Sequence, residues 1–122
     1  MLASAAGPIA EHYGVTWLEN TAAEVGGVRF VGATLWEHGD PRHEPSIAAL
    51  QAFGADVIVT HFPPTPAFAF RVLPEGGLWI WGHHHGHGDT TVADRRWLRN
   101  ALGYPDEEVA WPAVPDLVIE WP

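Results

Sequence analysis

Three short apolar runs constrain this chain more than anything else in it: VRFVGATLW (Val28 to Trp36), DVIVT (Asp56 to Thr60) and LWIW (Leu78 to Trp81). Near-continuous apolar runs of this length read as strands covered on both faces, whereas half-solvated strands alternate. Helical signals stand between them. Pro45 and Ser46 open one helix with Ile47, Leu50 and Phe53 on a common face and Gly54 as its C′ residue. Thr65-Pro66 caps and starts a shorter helix that runs through Leu73 and is closed by Gly76-Gly77. Strands interleaved with helices predict an α/β layered arrangement in a single domain spanning residues 1–122.

The remaining elements are shorter. Pro8 begins a helix IAEHY that Gly14 ends, and Gly26-Gly27 forms a turn ahead of the first apolar run. TTVADRRWL reads as one or two short strands, GYPDEE as an exposed turn, and LVIEW near the end as a last alternating strand.

Charge narrows the function. Fifteen acidic residues face six basic ones, all arginine, for a net charge of −9. Such a surface repels a phosphate backbone and anionic lipid, which argues against nucleic-acid and membrane partners. An acidic chain that acts on a phosphate must bring cations to its site. The absence of cysteine removes disulfides, thiolate zinc sites and cysteine nucleophiles together. The opening MLASAAGPIAEHYG lacks a basic n-region, and no apolar run approaches the roughly 20 residues of a membrane span. The chain reads as soluble and cytoplasmic.

Four of the eight histidines fall within WGHHHGHGD, directly behind the LWIW strand, and His61 follows DVIVT. In an open α/β sheet, ligands bind outside the carboxyl ends of the strands, so His61 is expected to meet His83 and His85. In extended chain, residues two apart point the same way, which would aim His83 and His85 together and His84 opposite, with Gly82 allowing a sharp backbone turn. His84 and His87 read as solvated loop residues. Neutral imidazole is the commonest metal ligand, and three of them leave positions for water and substrate on manganese, iron or zinc.

The block Val57-Ile58-Val59-Thr60-His61 followed by Pro63-Pro64, and then Trp79-Ile80-Trp81-Gly82-His83-His84-His85, resembles the last two metal-binding blocks of the calcineurin-like metallophosphoesterases. GVRFVGATLW and RRWLRNALGYPDE are also similar to members of that superfamily. The resemblance implies an α/β/β/α sandwich with one or two divalent cations, hydrolysing small phosphomonoesters or phosphodiesters through metal-bound hydroxide. Carried over by position, His61 and His83 would hold one metal and His85 the other.

The first half of the family pattern, D-x-H, G-D-x-x-D and G-N-H, is not found in residues 1–122. Without a bridging carboxylate, two divalent ions a few ångströms apart repel each other strongly. The resemblance therefore implies the C-terminal part of a sandwich, completed by a missing N-terminal half or by a homodimer. A non-catalytic remnant serving as a metal-binding or interaction module is the competing expectation. A metallo-β-lactamase-like site would need H-x-H-x-D-H, which the His83 to Asp89 segment does not provide.

Four further residues are candidates for supporting roles. Asp89 could accept a hydrogen bond from a ligating imidazole. Arg96, aligned with an arginine seen after G-H-x-H in similar sequences, could grip a phosphate oxygen, against a surface ion pair with Asp94 or Glu107. Asp40 and His43 could face the site from the loop after GATLW. Trp36, Trp79 and Trp81 read as core, and Asp106-Glu107-Glu108 as a solvated turn.

Overall fold

The computed structural model describes residues 3–120, with side chains described from residue 6 onward. It is a mixed α/β fold. Helix α1 (Ala3–His12) precedes the hairpin β1 (Thr21–Val25) and β2 (Val28–Ala33), then come α2 (His43–Phe53), β3 (Val57–Thr60), α3 (Pro66–Val72), β4 (Leu78–Trp81), and the hairpin β5 (Gly86–Val92) and β6 (Arg95–Ala101). Six strands form one sheet in the order β1-β2-β3-β4-β6-β5. The inner four are parallel, and β1 and β5 are antiparallel edges. Three of the four inner strands come from the apolar runs, and the fourth, β6, is RRWLRNA, in which Leu98 alone is buried.

Alternation divides the sheet between two cores. Val31, Ile58 and Trp79 face α2 and α3, where they pack with Leu50, Phe68 and Leu73. Fully burying one such side chain contributes about 1.5–3 kcal/mol. Trp79 is wholly buried, and its indole N–H donates to Thr60 Oγ1 at 3.0 Å, which removes the usual penalty for an enclosed donor. On the opposite face Val57, Leu78 and Leu98 are buried beneath Leu117 and Ile119, while Leu18 lies against Gly32. Between those two covering segments Val59, on an inner strand, remains 38% exposed. It floors a trough of about 410 Å³ walled by Trp17 and Leu18 and ending at His61.

Several sequence expectations are corrected. LVIEW is not a strand in its described part: Pro112 and Pro115 and the left-handed Asp116 (φ 52°) take that stretch out of ladder pairing, and its alternating apolar residues instead drape over the sheet. Trp121 lies outside the described residues. Strand β1 was not anticipated, although Gly26 and Gly27, both at positive φ (59° and 79°), make the two-residue connection that a hairpin favours. Strand β2 stops at Ala33 because Leu35 and Trp36 adopt left-handed φ of 74° and 60°. Helix α2 starts two residues early, at His43, leaving Pro45 in the first turn where its missing N–H is harmless, and Gly54 closes it at φ 60° as expected. Thr65 precedes α3 but its side chain makes no cap hydrogen bond. Helix α1 begins at Ala3, which places Pro8 inside it; alanine at 3, 5 and 6 favours that extension. Among the described residues no helix is long and apolar enough to cross a membrane.

Candidate functional site

Strands β3 and β4 are parallel neighbours with Thr60 opposite Trp81, so His61 and Gly82 leave the sheet side by side. The Gly82 N–H donates to the His61 carbonyl at 3.1 Å and extends the ladder by one bond. The chain then folds back on itself: His84 N–H reaches Gly82 O at 2.6 Å around His83, whose φ is 56°. This is a three-residue γ-type turn, a strained geometry for a side-chain-bearing residue, and strain of this kind clusters at functional sites. The positive φ thus falls on His83 and not on Gly82, and the extended geometry expected for residues 83 to 85 is absent.

The turn brings His83 Nδ1 to 3.3 Å from His61 Nε2, with the two rings edge to face and Phe62 packed against both. Zinc-type ions hold imidazole nitrogens at about 2.0–2.1 Å in tetrahedral array, which sets neighbouring ligand atoms about 3.3–3.4 Å apart. The pair has that spacing. His61 is exposed at its outer edge, yet its flank against Phe62 is desolvated; that desolvation first, and the charge His83 can carry second, push its pKa below the ordinary histidine value. A neutral His61 is the form that binds a cation.

On the other side of His83, Nε2 stands 3.9 Å from Glu37 Oε1, within ion-pair range though beyond a hydrogen bond. Glu37 arrives there through the left-handed Leu35–Trp36 bend. His43 holds that bend: the ring is 4% exposed, and its Nδ1 contacts Leu35 O at 3.0 Å and Trp36 O at 2.9 Å. Both partners are acceptors, so Nδ1 carries the proton. Trp36, Glu37, His43 and His83 share the wall of a small cavity of about 150 Å³. His43 therefore faces the site, as a clamp on its loop. Asp40 does not reach it; its carboxylate is spent on Arg42, at 2.8 and 2.9 Å, which holds its pKa down at about 2.

His85 takes another direction. Its Nδ1 lies 2.5 and 2.8 Å from the two carboxylate oxygens of Glu107, and its ring packs edge-on against Tyr104. Glu107 also accepts from the Tyr104 N–H at 3.0 Å, the main reason its pKa is lowered, with His85 adding to it. Accordingly the structure brings His61 and His83 together and places His85 with Glu107. Among the described residues no three histidine or acidic side chains converge to hold one metal ion.

By sequence Glu107 reads as part of a solvated turn and Asp89 as the partner of a ligating imidazole. Asp89 instead pairs with Arg96, at 2.6 and 2.9 Å, because the antiparallel register sets Asp89 opposite Leu98 and Arg96 on the adjoining diagonal of the same face. That pair also engages the arginine considered for phosphate. His84 is exposed as expected, whereas His87 is half-buried in β5 with Nδ1 3.2 Å from Asn100 Oδ1. Neither Glu37 nor Glu107 carries a sequence signal that would pair it with a histidine.

Comparison with protein-family models, with curated proteins and with solved structures finds no match for this chain.

Proposed function

We propose that this chain carries a metal-dependent phosphoester-hydrolysing site of the calcineurin-like metallophosphoesterase kind, acting in the cytoplasm on a small phosphomonoester or phosphodiester. The observation that carries the reading is the pair His61 Nε2 and His83 Nδ1, 3.3 Å apart at the carboxyl ends of adjacent parallel strands. These are the residues that the V-T-H and G-H-x-H blocks assign to one cation, and their spacing suits a shared ion. The same resemblance gives His85 to a second. A bound divalent cation would supply hydroxide near neutral pH, by lowering the pKa of water toward about 7, and would neutralise phosphoryl charge. The chain's own part is to keep His61 neutral, to aim His83 through its backbone turn, and to hold Glu37 beside it.

In this reading the six-stranded sheet is the C-terminal part of an α/β/β/α sandwich, and the trough over Val59 is where further polypeptide, a homodimer partner or an N-terminal half, would lie. The second reading, a metal-binding or interaction module without catalysis, is supported by one observation: among the described residues no three histidine or acidic side chains converge on one metal ion, so no carboxylate joins the His61–His83 pair.

Both readings meet the same experiment. Purified chain is loaded with Mn²⁺ or Zn²⁺, its metal content measured, and hydrolysis of p-nitrophenyl phosphate and bis(p-nitrophenyl) phosphate followed, beside His61→Ala and His83→Ala. Metal lost in both variants, together with turnover lost in both, is the expected result. Metal without turnover selects the second reading, and metal content unchanged by either substitution overturns both.

A further inference from the structure

We infer that Glu107 is a positioning residue for His85: it fixes the imidazole in the Nδ1–H tautomer and so leaves Nε2 as the open nitrogen facing away from the loop. The inference rests on the proposed metal site, in which that open nitrogen is the one left to meet a cation.

The geometry carries it from three sides. Both carboxylate oxygens of Glu107 lie within hydrogen-bond distance of His85 Nδ1, at 2.5 and 2.8 Å. A carboxylate only accepts, so Nδ1 must donate, and the lone pair of a neutral ring then sits on Nε2. The carboxylate is itself fixed, since the Tyr104 N–H donates to Oε2 at 3.0 Å and the Glu107 N–H returns a bond to Tyr104 O at 3.1 Å. The backbone has made room for the pair as well. Gly103 has φ 77°, and a Cβ there would overlap Glu107 Oε2 and come within 3.1 Å of the His85 ring. A loop with glycine at that position lets a carboxylate and an imidazole meet across 22 residues of sequence. Metal-ligating histidines commonly hold their second nitrogen against a carboxylate in this way, which orients the ring and raises its basicity.

At His83 a carboxylate is near without a hydrogen bond: Glu37 stands 3.9 Å from Nε2 while Nδ1 faces His61. The two histidines of G-H-x-H thus have their carboxylates beside opposite ring nitrogens. That follows from the turn at His83, which sends the two side chains to different loops.

The test reads the tautomer directly. Long-range ¹⁵N–¹H correlation spectra of the metal-free, ¹⁵N-labelled chain at about pH 8.5, where an ordinary imidazole is neutral, should show His85 with a protonated Nδ1 and an unprotonated Nε2. Glu107→Ala should release that preference. Gly103→Ala should do the same while leaving both residues in place, and far-UV circular dichroism checks that each variant is folded. Zn²⁺ titration of the same samples, read at the His85 ¹⁵Nε2 signal so that an ion held by His61 and His83 alone does not register, should show Glu107→Ala weakened about 10- to 100-fold. A wild-type His85 protonated at Nε2 overturns the inference, as does a Glu107→Ala chain with unchanged tautomer or unchanged Zn²⁺ affinity where wild type binds Zn²⁺. A locked tautomer in a wild-type chain that takes up no Zn²⁺ supports Glu107 as the positioning group and overturns the metal reading beneath it.

Discussion

His43→Ala tests how the loop bearing Glu37 is held. The imidazole is buried, and its single donor serves two carbonyls, Leu35 O and Trp36 O, at 3.0 and 2.9 Å. Removing it strands enclosed acceptors, at about 1–3 kcal/mol. Loss of the ring's edge-on packing against Phe68, 5.6 Å between centroids, adds about 1 kcal/mol for the space left behind. The two left-handed residues that the clamp restrains, Leu35 at 74° and Trp36 at 60°, would relax in the variant and return part of that loss. With that return the net expectation is about 1–3 kcal/mol. With a urea dependence of about 1.5–2 kcal/mol/M, the unfolding midpoint should fall by roughly 0.5–2 M at unchanged slope, followed by tryptophan fluorescence. His43→Asn supplies the control, because its amide nitrogen stands on the same Cγ as the imidazole Nδ1 and keeps a donor there. It should recover about half of the loss. A midpoint within 0.3 M of wild type for His43→Ala, or an asparagine variant no better than alanine, would show that the bend stands without the clamp; the 0.3 M threshold corresponds to roughly 0.5 kcal/mol.

Three other substitutions probe the frame around the site. Gly32→Ala would place a Cβ 2.5 Å from Leu18 Cβ, so the segment crossing β2 must lift, at about 1–3 kcal/mol, and hydrogen exchange at the Thr34 amide, now bonded to Glu19 Oε1 at 3.0 Å, should speed up. Ala93→Asn/Asp94→Gly puts the favoured Asn-Gly pair where two side-chain-bearing residues now sit at φ 52° and 58° in the β5–β6 turn, and should raise stability by about 1 kcal/mol in urea unfolding. The Arg96 guanidinium beside Asp89 holds that carboxyl below its ordinary value of 3.8. A depressed carboxyl contributes stability above its unfolded-state pKa and loses it as pH falls through the folded one. Asp89→Asn should therefore cost up to about 1 kcal/mol at pH 7, discounted for a pair about a third exposed, and the gap to wild type should shrink as pH falls below the carboxyl's ordinary 3.8 and through its lowered folded value. A gap that does not change with pH would point to packing instead of charge.

The inner sheet was legible because burial on both faces writes itself as uninterrupted apolar sequence, and DVIVT and LWIW became β3 and β4 almost residue for residue. The edges were not. Strand β1, TAAEV, is short and mostly exposed, so little in its composition marks it apart from a loop; only the glycine pair behind it gives the hairpin away. LVIEW failed for the opposite reason. Its alternation is real, but the pattern records packing of Leu117 and Ile119 across the sheet face, which imposes the same period on a segment with no ladder partner.

The site divides along the same physical line. That His61 and His83 meet follows from topology, since two parallel neighbours in register deliver whatever follows them to one edge. Where each imidazole then points is decided by groups that periodicity does not touch. A turn centred on His83 replaces the extended chain that would have aligned residues 83 and 85, and an acid 22 positions downstream captures His85. The carboxylate nearest in sequence, Asp89, is claimed by Arg96 through strand register before it can serve a histidine. Sheet position thus places an imidazole, while the loops decide its neighbours: Glu107 engages Nδ1 of His85, and Glu37 stands 3.9 Å from Nε2 of His83. In a chain of net charge −9, acids are plentiful enough that composition could never have singled those two out; only the backbone that brings them to a ring nitrogen does so.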